Sequence, residues 1–434
     1  MSAVSDFRRL QEKLGANAVE QHAPIEVDGF EVRVTLRPDD GKALGHALAR
    51  LSEGGFAALI RGGGTRLGLG NPPTRADLFL STEGLCGIDE FDPEDGVVHV
   101  RSGTRLSVLR AEVNAQGWEI PLDPPGAHTT VGGALAAGAI GPRRLAFGPP
   151  RDCVLGMEVA LASGEHTRCG GRVVKNVTGY DMAKLYTGSL GSLGVIEAAW
   201  LRLRPMPERS ELRLVELAPD TAPAGRCVPA EGFEPWIAVA RRDSTQVTAL
   251  VSSGLADQLA PERGHTGGPL LIVEFAGYAP AVERDLRWLA QSAATRTMEP
   301  EGIAALGALQ GRPLHGQGLR ARIAVLPSRL QPCCEALAQV GAELVVHPGL
   351  GLVFAERRVA GENAAREASE AMRAIAELAA DYRASVVFEE LPTQAKRGAD
   401  VFGETGPALD LMRELKRRFD PVGVLNPGRC AGGV

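Results

Sequence analysis

Several things are scarce in this chain of 434 residues, and each scarcity closes off a class of function. Only six of the 47 basic residues are lysine, and the arginines are scattered rather than striped along one element. With a formal net charge of −6, no electrostatic footprint for nucleic acid is present, and none is expected as a partner. The seven cysteines lie far apart except for the adjacent Cys333 and Cys334, and no CxxC or Cys/His zinc spacing occurs. That usage points to a reduced, cytoplasmic setting rather than a disulfide framework. Long apolar runs are missing too. The longest weakly polar stretch, Val131 to Gly141, is far below the ~20 residues that span a bilayer. The N-terminal MSAVSDFRRLQEKLG lacks the apolar core of a signal peptide. We therefore expect no transmembrane segment and, at most, peripheral membrane contact through partners.

What the chain does have is glycine. Its 53 glycines are about 12% of the residues against an ordinary usage of about 7%. There is no Gly-X-Y period, and 44% hydrophobic residues with charge of both signs make a globular composition. Residues 54–200 hold 26 of the 53 glycines, so one region is dominated by glycine loops. The length suggests two or three domains.

Periodicity predicts helices over 5–14 and 41–53 with a strand over 31–36 between them, then a short apolar run, 56–60, that breaks into RGGGTRLGLG at 61–70. From 78 to 200 strands dominate, among them 96–100 and 154–162, with one helix near 105–117. After a strand at 198–204, prolines and the Pro/Ala/Gly-rich stretch 218–235 mark a boundary. Beyond it, expected strands (236–240, 270–275, 321–325, 343–346, 351–355) alternate with helices (280–293, 328–340, 362–382). This predicts a second α+β domain, with helices on one side of a largely antiparallel sheet. Two strand–helix units there are candidates for a pseudo-duplication. The last helix, 407–418, runs into the irregular FDPVGVLNPGR.

Three segments carry chemistry. In RGGGTRLG, Arg61 to Gly68, three consecutive glycines let backbone N–H groups form a concave nest for an anion such as pyrophosphate. The loop is not a Walker A motif, which needs GK[ST], and no ribose-binding acid follows at Rossmann spacing. Standing alone it would serve equally as a surface turn. It is joined by DPPGAHTTVGGALAAGAIGPRR at 123–144, with Pro125, Thr129, Thr130, Gly132 and Gly133, so that two loops could grip both phosphates of a dinucleotide. A third segment, 173–196, has glycines at 179, 188, 191 and 194 that allow close approach to a flat ligand or, equally, tight strand packing.

In this order and spacing the segments resemble the FAD-binding domain of the vanillyl-alcohol oxidase and p-cresol methylhydroxylase superfamily. Within it, GPRRLAFGPPRDCVLGMEVALASGE, GGRVVKNVTGYDMAKLYTGSLGSLGVI and FDPVGVLNPGR resemble the FAD-binding E subunits of bacterial glycolate oxidases. The resemblance implies an α+β fold: a two-part FAD-binding domain of the PCMH type over 1–206, an antiparallel-sheet cap domain over 207–406, and a helix and tail, 407–434, returning to the flavin. It implies that Arg61, Gly62, Gly63, Gly64, Thr65, Arg66, Leu67 and Gly68 wrap the FAD pyrophosphate. By the same resemblance Pro125, Thr129, Thr130, Gly132, Gly133 and Gly148 border the cofactor, and Gly194, Val195 and Ile196 lie along its adenine end. Asn426 would then sit near the flavin ring. Some members attach FAD covalently through a histidine in the first loop; here Gly64, Thr65 and Arg66 offer none, so non-covalent binding is expected.

Related 2-hydroxy-acid dehydrogenases carry a metal-binding histidine pair in the cap and an EHGIG-like segment near the C-terminus. Here the late strand reads Phe388, Glu389, Glu390, Leu391, Pro392, and His265, His315 and His347 are isolated, so no metal site is expected. Arg143 and Arg144 are candidates for a phosphate or carboxylate as much as for a salt bridge. Of Glu389 and Glu390, neighbours on a strand, only one is expected to face a site. Cys333 and Cys334 are expected to be buried or idle. The resemblance implies an FAD-dependent oxidoreductase of a small 2-hydroxy acid, and with no catalytic base identified and no cysteine cluster for an iron–sulfur centre the expectation is that it works with partners. It would act as one subunit of glycolate oxidase, beside a second flavoprotein subunit and an iron–sulfur subunit. The alternatives are a free-standing FAD enzyme for another hydroxy acid or alcohol, and an assembly protein holding FAD structurally.

Overall fold

The computed structural model describes residues 19–173, 180–217, 228, 232–260 and 268–434. The helix expected over 5–14, most of the 218–235 stretch, residues 174–179 of the third segment and His265 lie outside them.

The first sheet starts as a hairpin. Strands β1 (Val19–Val27) and β2 (Phe30–Leu36) are joined by Asp28-Gly29, whose φ angles of 48° and 91° suit the two-residue turn that Asp-Gly favours. Strands β3 (Ala58–Arg61) and β4 (Leu78–Ser81) complete the order β1-β2-β4-β3, with β4 parallel to both its neighbours. The helix Gly41–Gly54 covers this sheet with Leu44, Leu48 and Leu51. Asp40 caps its start by accepting from the Ala43 N–H at 2.7 Å, and left-handed Gly55 ends it.

A second, antiparallel sheet has the order β5-β6-β10-β8-β9, from β5 (Ile88–Asp92), β6 (Val97–Arg101), β8 (Val154–Ala160), β9 (His166–Gly170) and β10 (Val195–Arg202). The short β7 (Trp118–Glu119) and β11 (Arg204–Pro205) pair beside it. The tail comes back to this region. Leu425 bridges Ala58 in parallel, so residues 424–426 extend the β3 edge, and the buried Lys416 and Asp420 tie the last helix (Ala408–Phe419) to the turn that follows.

The cap is one eight-stranded antiparallel sheet in the order β15-β12-β14-β13-β17-β18-β16-β19. Its strands are β12 (Arg209–Glu216), β13 (Thr245–Val251), β14 (Leu270–Gly277), β15 (Thr295–Thr297), β16 (Gly318–Ala324), β17 (Glu343–His347), β18 (Leu352–Arg358) and β19 (Ser385–Glu390). Each half runs β-α-β-β-α-β with its fourth strand beside its first, so the cap is two split βαβ units joined where β13 meets β17. The suspected duplication is therefore real in topology.

Two expectations need correction. Residues 236–240 form part of a helix, Glu234–Ala240, not a strand: Pro235 sits in its first turn, where its missing N–H costs nothing, and a five-residue apolar run carries no period of its own. Nor are the helices confined to one face. Those at 279–292, 327–339 and 364–381 cover one side, but Ser253–Leu259 and Glu301–Gly311 pack on the other against Val247, Ile272 and Phe354.

Candidate functional site

Strand β3 ends at Arg61, whose guanidinium lies 4.7 Å from the Phe79 ring, and the chain then enters the first glycine loop. The N–H groups of Gly62, Gly63, Gly64, Thr65 and Arg66 find no acceptor among the described residues. Five successive unpaired donors line an open cleft, which makes the loop an anion nest. Two of its glycines are fixed by packing. A Cβ on Gly63 would stand 1.7 Å from the His128 carbonyl oxygen, and one on Gly62 would stand 2.2 Å from Thr130 Oγ1. The loops therefore lie backbone on backbone, and Thr65 Oγ1 meets Thr129 Oγ1 at 3.2 Å.

The second loop leads into a short helix, Val131–Ala136, capped by Thr130, whose Oγ1 accepts from the Gly133 N–H at 3.2 Å. Its first donors are already used: Val131 N–H on Thr104 O and Gly132 N–H on Ser102 O. What this loop offers the cleft is the Thr130 hydroxyl and the bare face of Gly133, while Thr129 donates to Pro125 O. Gly132 serves packing, since a Cβ there would meet Ser102 Cβ at 2.6 Å. The tail adds Asn426, left-handed at φ 45°, whose amide oxygen accepts from Ile60 N–H at 2.9 Å and whose amide nitrogen donates to Leu190 O at 2.6 Å. Asn426 thus clamps β3 to the third glycine segment at the cleft wall.

The remaining residues singled out in the sequence do not line this cleft. Arg143 is spoken for: Nε and one Nη reach the two oxygens of Glu274 on β14 at 2.8 and 2.6 Å, and Glu274 is 2% exposed. It couples the first domain to the cap instead of binding phosphate. Pro125 packs on the cap helix 301–311, where a Cβ on Gly311 would fall 2.1 Å from its ring. Gly148, at φ 72°, ends the short helix Arg144–Phe147. Gly194 presses on Val159, and Val195 and Ile196 are buried at the start of β10, which is the strand-packing alternative.

On the cap side, the bulge where Arg320 pairs with Glu390 and Ala321 with Phe388 leaves Glu389 as the extra residue. Such a bulge re-aims side chains, so both carboxylates turn to the first domain, contrary to the expectation of one. Glu389 accepts from Arg322 Nε at 2.7 Å, and Glu390 Oε2 lies 3.4 Å from where a Cβ on Gly68 would stand. Arg66 projects into the same region, its Nε shielded from solvent without a partner. Burial lowers the Arg66 pKa, Glu389 offsets this and Arg322 adds to it. Arg144 also feels Arg322 through space. No local pattern singles out Arg322, because its pairing with Glu389 depends on sheet register.

His347 is buried at 1% exposure with Nε2 2.6 Å from Gln310 Nε2, and burial brings its pKa down to about 4. Among the described residues no three metal-ligating side chains converge. Cys333 and Cys334 are buried in the cap core, where burial pushes the Cys333 thiol up to about 11.

A nest of unpaired backbone donors, Gly64 in the left-handed region and a cleft roofed by arginines fit a dinucleotide diphosphate. Comparison with known proteins agrees. Residues 32–170 match the family model described as FAD binding domain. Glycolate oxidase subunit GlcE of Escherichia coli is 38% identical over 154 residues, a match spanning 35% of this chain and 43% of that subunit. D-lactate dehydrogenase of Archaeoglobus fulgidus is 27% identical over 94% of this chain and 92% of that enzyme. Glycolate oxidase subunit GlcD of Bacillus subtilis is 28% identical over 91% of this chain and 88% of that subunit. Among solved structures, p-cresol methylhydroxylase with substrate bound superposes with a TM-score of 0.72 at 15% identity, covering 98% of this chain and 96% of that one. The fold is thus that of the p-cresol methylhydroxylase type, the chain carries the FAD-binding domain of that fold, and FAD is its cofactor.

Proposed function

We propose that this chain is an FAD-dependent oxidoreductase of small 2-hydroxy acids, acting as the FAD-binding subunit of a glycolate oxidase that converts glycolate to glyoxylate. The carrying observation is an anion nest on the wall of the cleft, with Arg66 of that loop lying within the electrostatic reach of Glu389 and Arg322 of the cap. Bound FAD supplies the two-electron acceptor. The chain's own residues hold its diphosphate through the loop N–H groups 62–66, and Thr130 and Asn426 border the flavin end. Arg66, with a shielded and unpartnered Nε, is the cation on offer for a substrate carboxylate, and Arg322 is held ready by Glu389. A second flavoprotein subunit and an iron–sulfur subunit would carry the electrons onward. This agrees with the similarity to both GlcE and GlcD, and the complex would be cytoplasmic, touching the inner membrane only through those partners. The bond to FAD is non-covalent, so acid precipitation should leave the flavin in the supernatant.

The near full-length likeness to a D-lactate dehydrogenase favours a second reading, a free-standing enzyme for another small 2-hydroxy acid. Purification alone and with candidate partner subunits separates the two. Glycolate-dependent dye reduction only in the assembled complex supports the subunit reading; turnover by the isolated chain refutes it in favour of the second.

A further inference from the structure

The exit of the first glycine loop is held from three distant parts of the chain. Lys396, 1% exposed, sits on the short helix Thr393–Lys396 that follows the cap's last strand. Its ammonium donates to the carbonyls of Gly68 at 2.6 Å and Gly70 at 3.4 Å, and to Asp28 in the β1–β2 turn at 2.7 Å. Arg429 of the tail donates to the same Asp28 at 2.6 Å and, through its other Nη, to the carbonyls of Leu67 and Leu69. Four successive loop carbonyls, Leu67 to Gly70, are thus held by two cations that share one carboxylate, and one of the two, Arg429, also lines the cleft. These anchors fix the exit of the loop directly after the N–H groups of residues 62–66, which stand unpaired.

From this we propose that Lys396, Arg429 and Asp28 form a clamp that pre-organises the first glycine loop for the FAD diphosphate, with Lys396 and Arg429 as positioning residues. The proposal rests on the FAD site described above and adds to it a dependence on chain segments outside the FAD-binding domain. Pre-organisation of this kind lowers the cost of binding, since the loop need not be ordered by the ligand.

The test uses the full chain stripped of flavin, with FAD and riboflavin as probes titrated by flavin fluorescence. The clamp acts on the diphosphate, so Lys396→Met should weaken FAD at least tenfold while riboflavin, which has no phosphate, shifts by less than about twofold. Lys396→Arg should recover most of the loss. Arg429→Lys keeps the charge but has one nitrogen in place of the two that hold Asp28 and the Leu67 and Leu69 carbonyls separately, and should weaken FAD several-fold with riboflavin unchanged. Amide exchange at residues 62–70 should quicken in both Lys396→Met and Arg429→Lys before any flavin is added. Wild-type FAD affinity in both would overturn the clamp. An equal loss of FAD and riboflavin would also overturn it, by reducing these residues to general fold support. A wild-type chain that binds neither flavin overturns the FAD site itself, and the clamp with it.

Discussion

Single residues in this site act through what they exclude. Gly63 is glycine because the second loop's backbone occupies the space a side chain would need, not because the loop must flex. Even the methyl of Gly63→Ala cannot coexist with the His128 carbonyl, so the two loops must part by more than an ångström. We expect Gly63→Ala to purify folded but without the 450 nm flavin band; full flavin occupancy would refute the loop-on-loop account. A glycine nest was legible in the sequence, because a run of glycines after a strand is a local signal, but its packing on the second loop was not. Nor was the clamp on the loop. Its partners are separated by 368 and 401 residues; Lys396 belongs to no pattern that distinguishes it from a solvated cation, and Arg429, though it closes FDPVGVLNPGR, carries no local sign of a partner at Asp28.

At the scale of elements, the helix Glu301–Gly311 shows why part of the cap escaped sequence reading. Glycines at 302, 307 and 311 argue against a helix by propensity, yet Gly307 and Gly311 are the face that lets it lie against Pro142 and Pro125. The same helix holds Gln310 against His347 of β17. His347 titrates ordinarily near 6.5 and is held down to about 4 by burial, so the folded state binds the proton less readily than the unfolded one. Its contribution to stability is complete above pH 6.5 and is lost as pH falls from there through 4, by about 3 kcal/mol in all. Thermal melts of His347→Asn should therefore decline less than wild type between pH 6.5 and 4.5, and parallel curves would count against it. Strand β13 was missed for a simpler reason: the apolar run just before it drew the strand assignment to residues that start a helix at Glu234.

For the whole molecule, the decisive contact is the one that removed Arg143 from the phosphate site. Arg143 and Glu274 join the end of the second glycine loop to the centre of the first cap unit, with Ser210 Oγ adding a third bond to the carboxylate at 3.1 Å. Truncating one partner leaves a buried charge alone, which typically costs about 3–5 kcal/mol. Arg143→Ala should lower the unfolding free energy by about that amount and bring the denaturation midpoint down with it. Because the contact spans the two domains, unfolding followed by flavin release and by far-ultraviolet dichroism should no longer coincide; coincident curves with an unchanged midpoint would show the bridge to be dispensable. The fold class could be read from strand and helix spacing, whereas the way the cap sits on the first domain depends on pairs such as this one, which no local pattern encodes.

The chain holds six lysines, and at least two of them, Lys396 and Lys416, are internal struts, whereas Lys42 and Lys184 are exposed. Amine chemistry is therefore divided between a sparse outer set and an inner one whose nitrogens are already bound to carbonyls and carboxylates. Acylating reagents and amine cross-linkers will find few handles on the folded surface. Reaction at Lys396 requires the cofactor loop to have let go of it first, which makes that one amine a chemical reporter of whether the site is assembled.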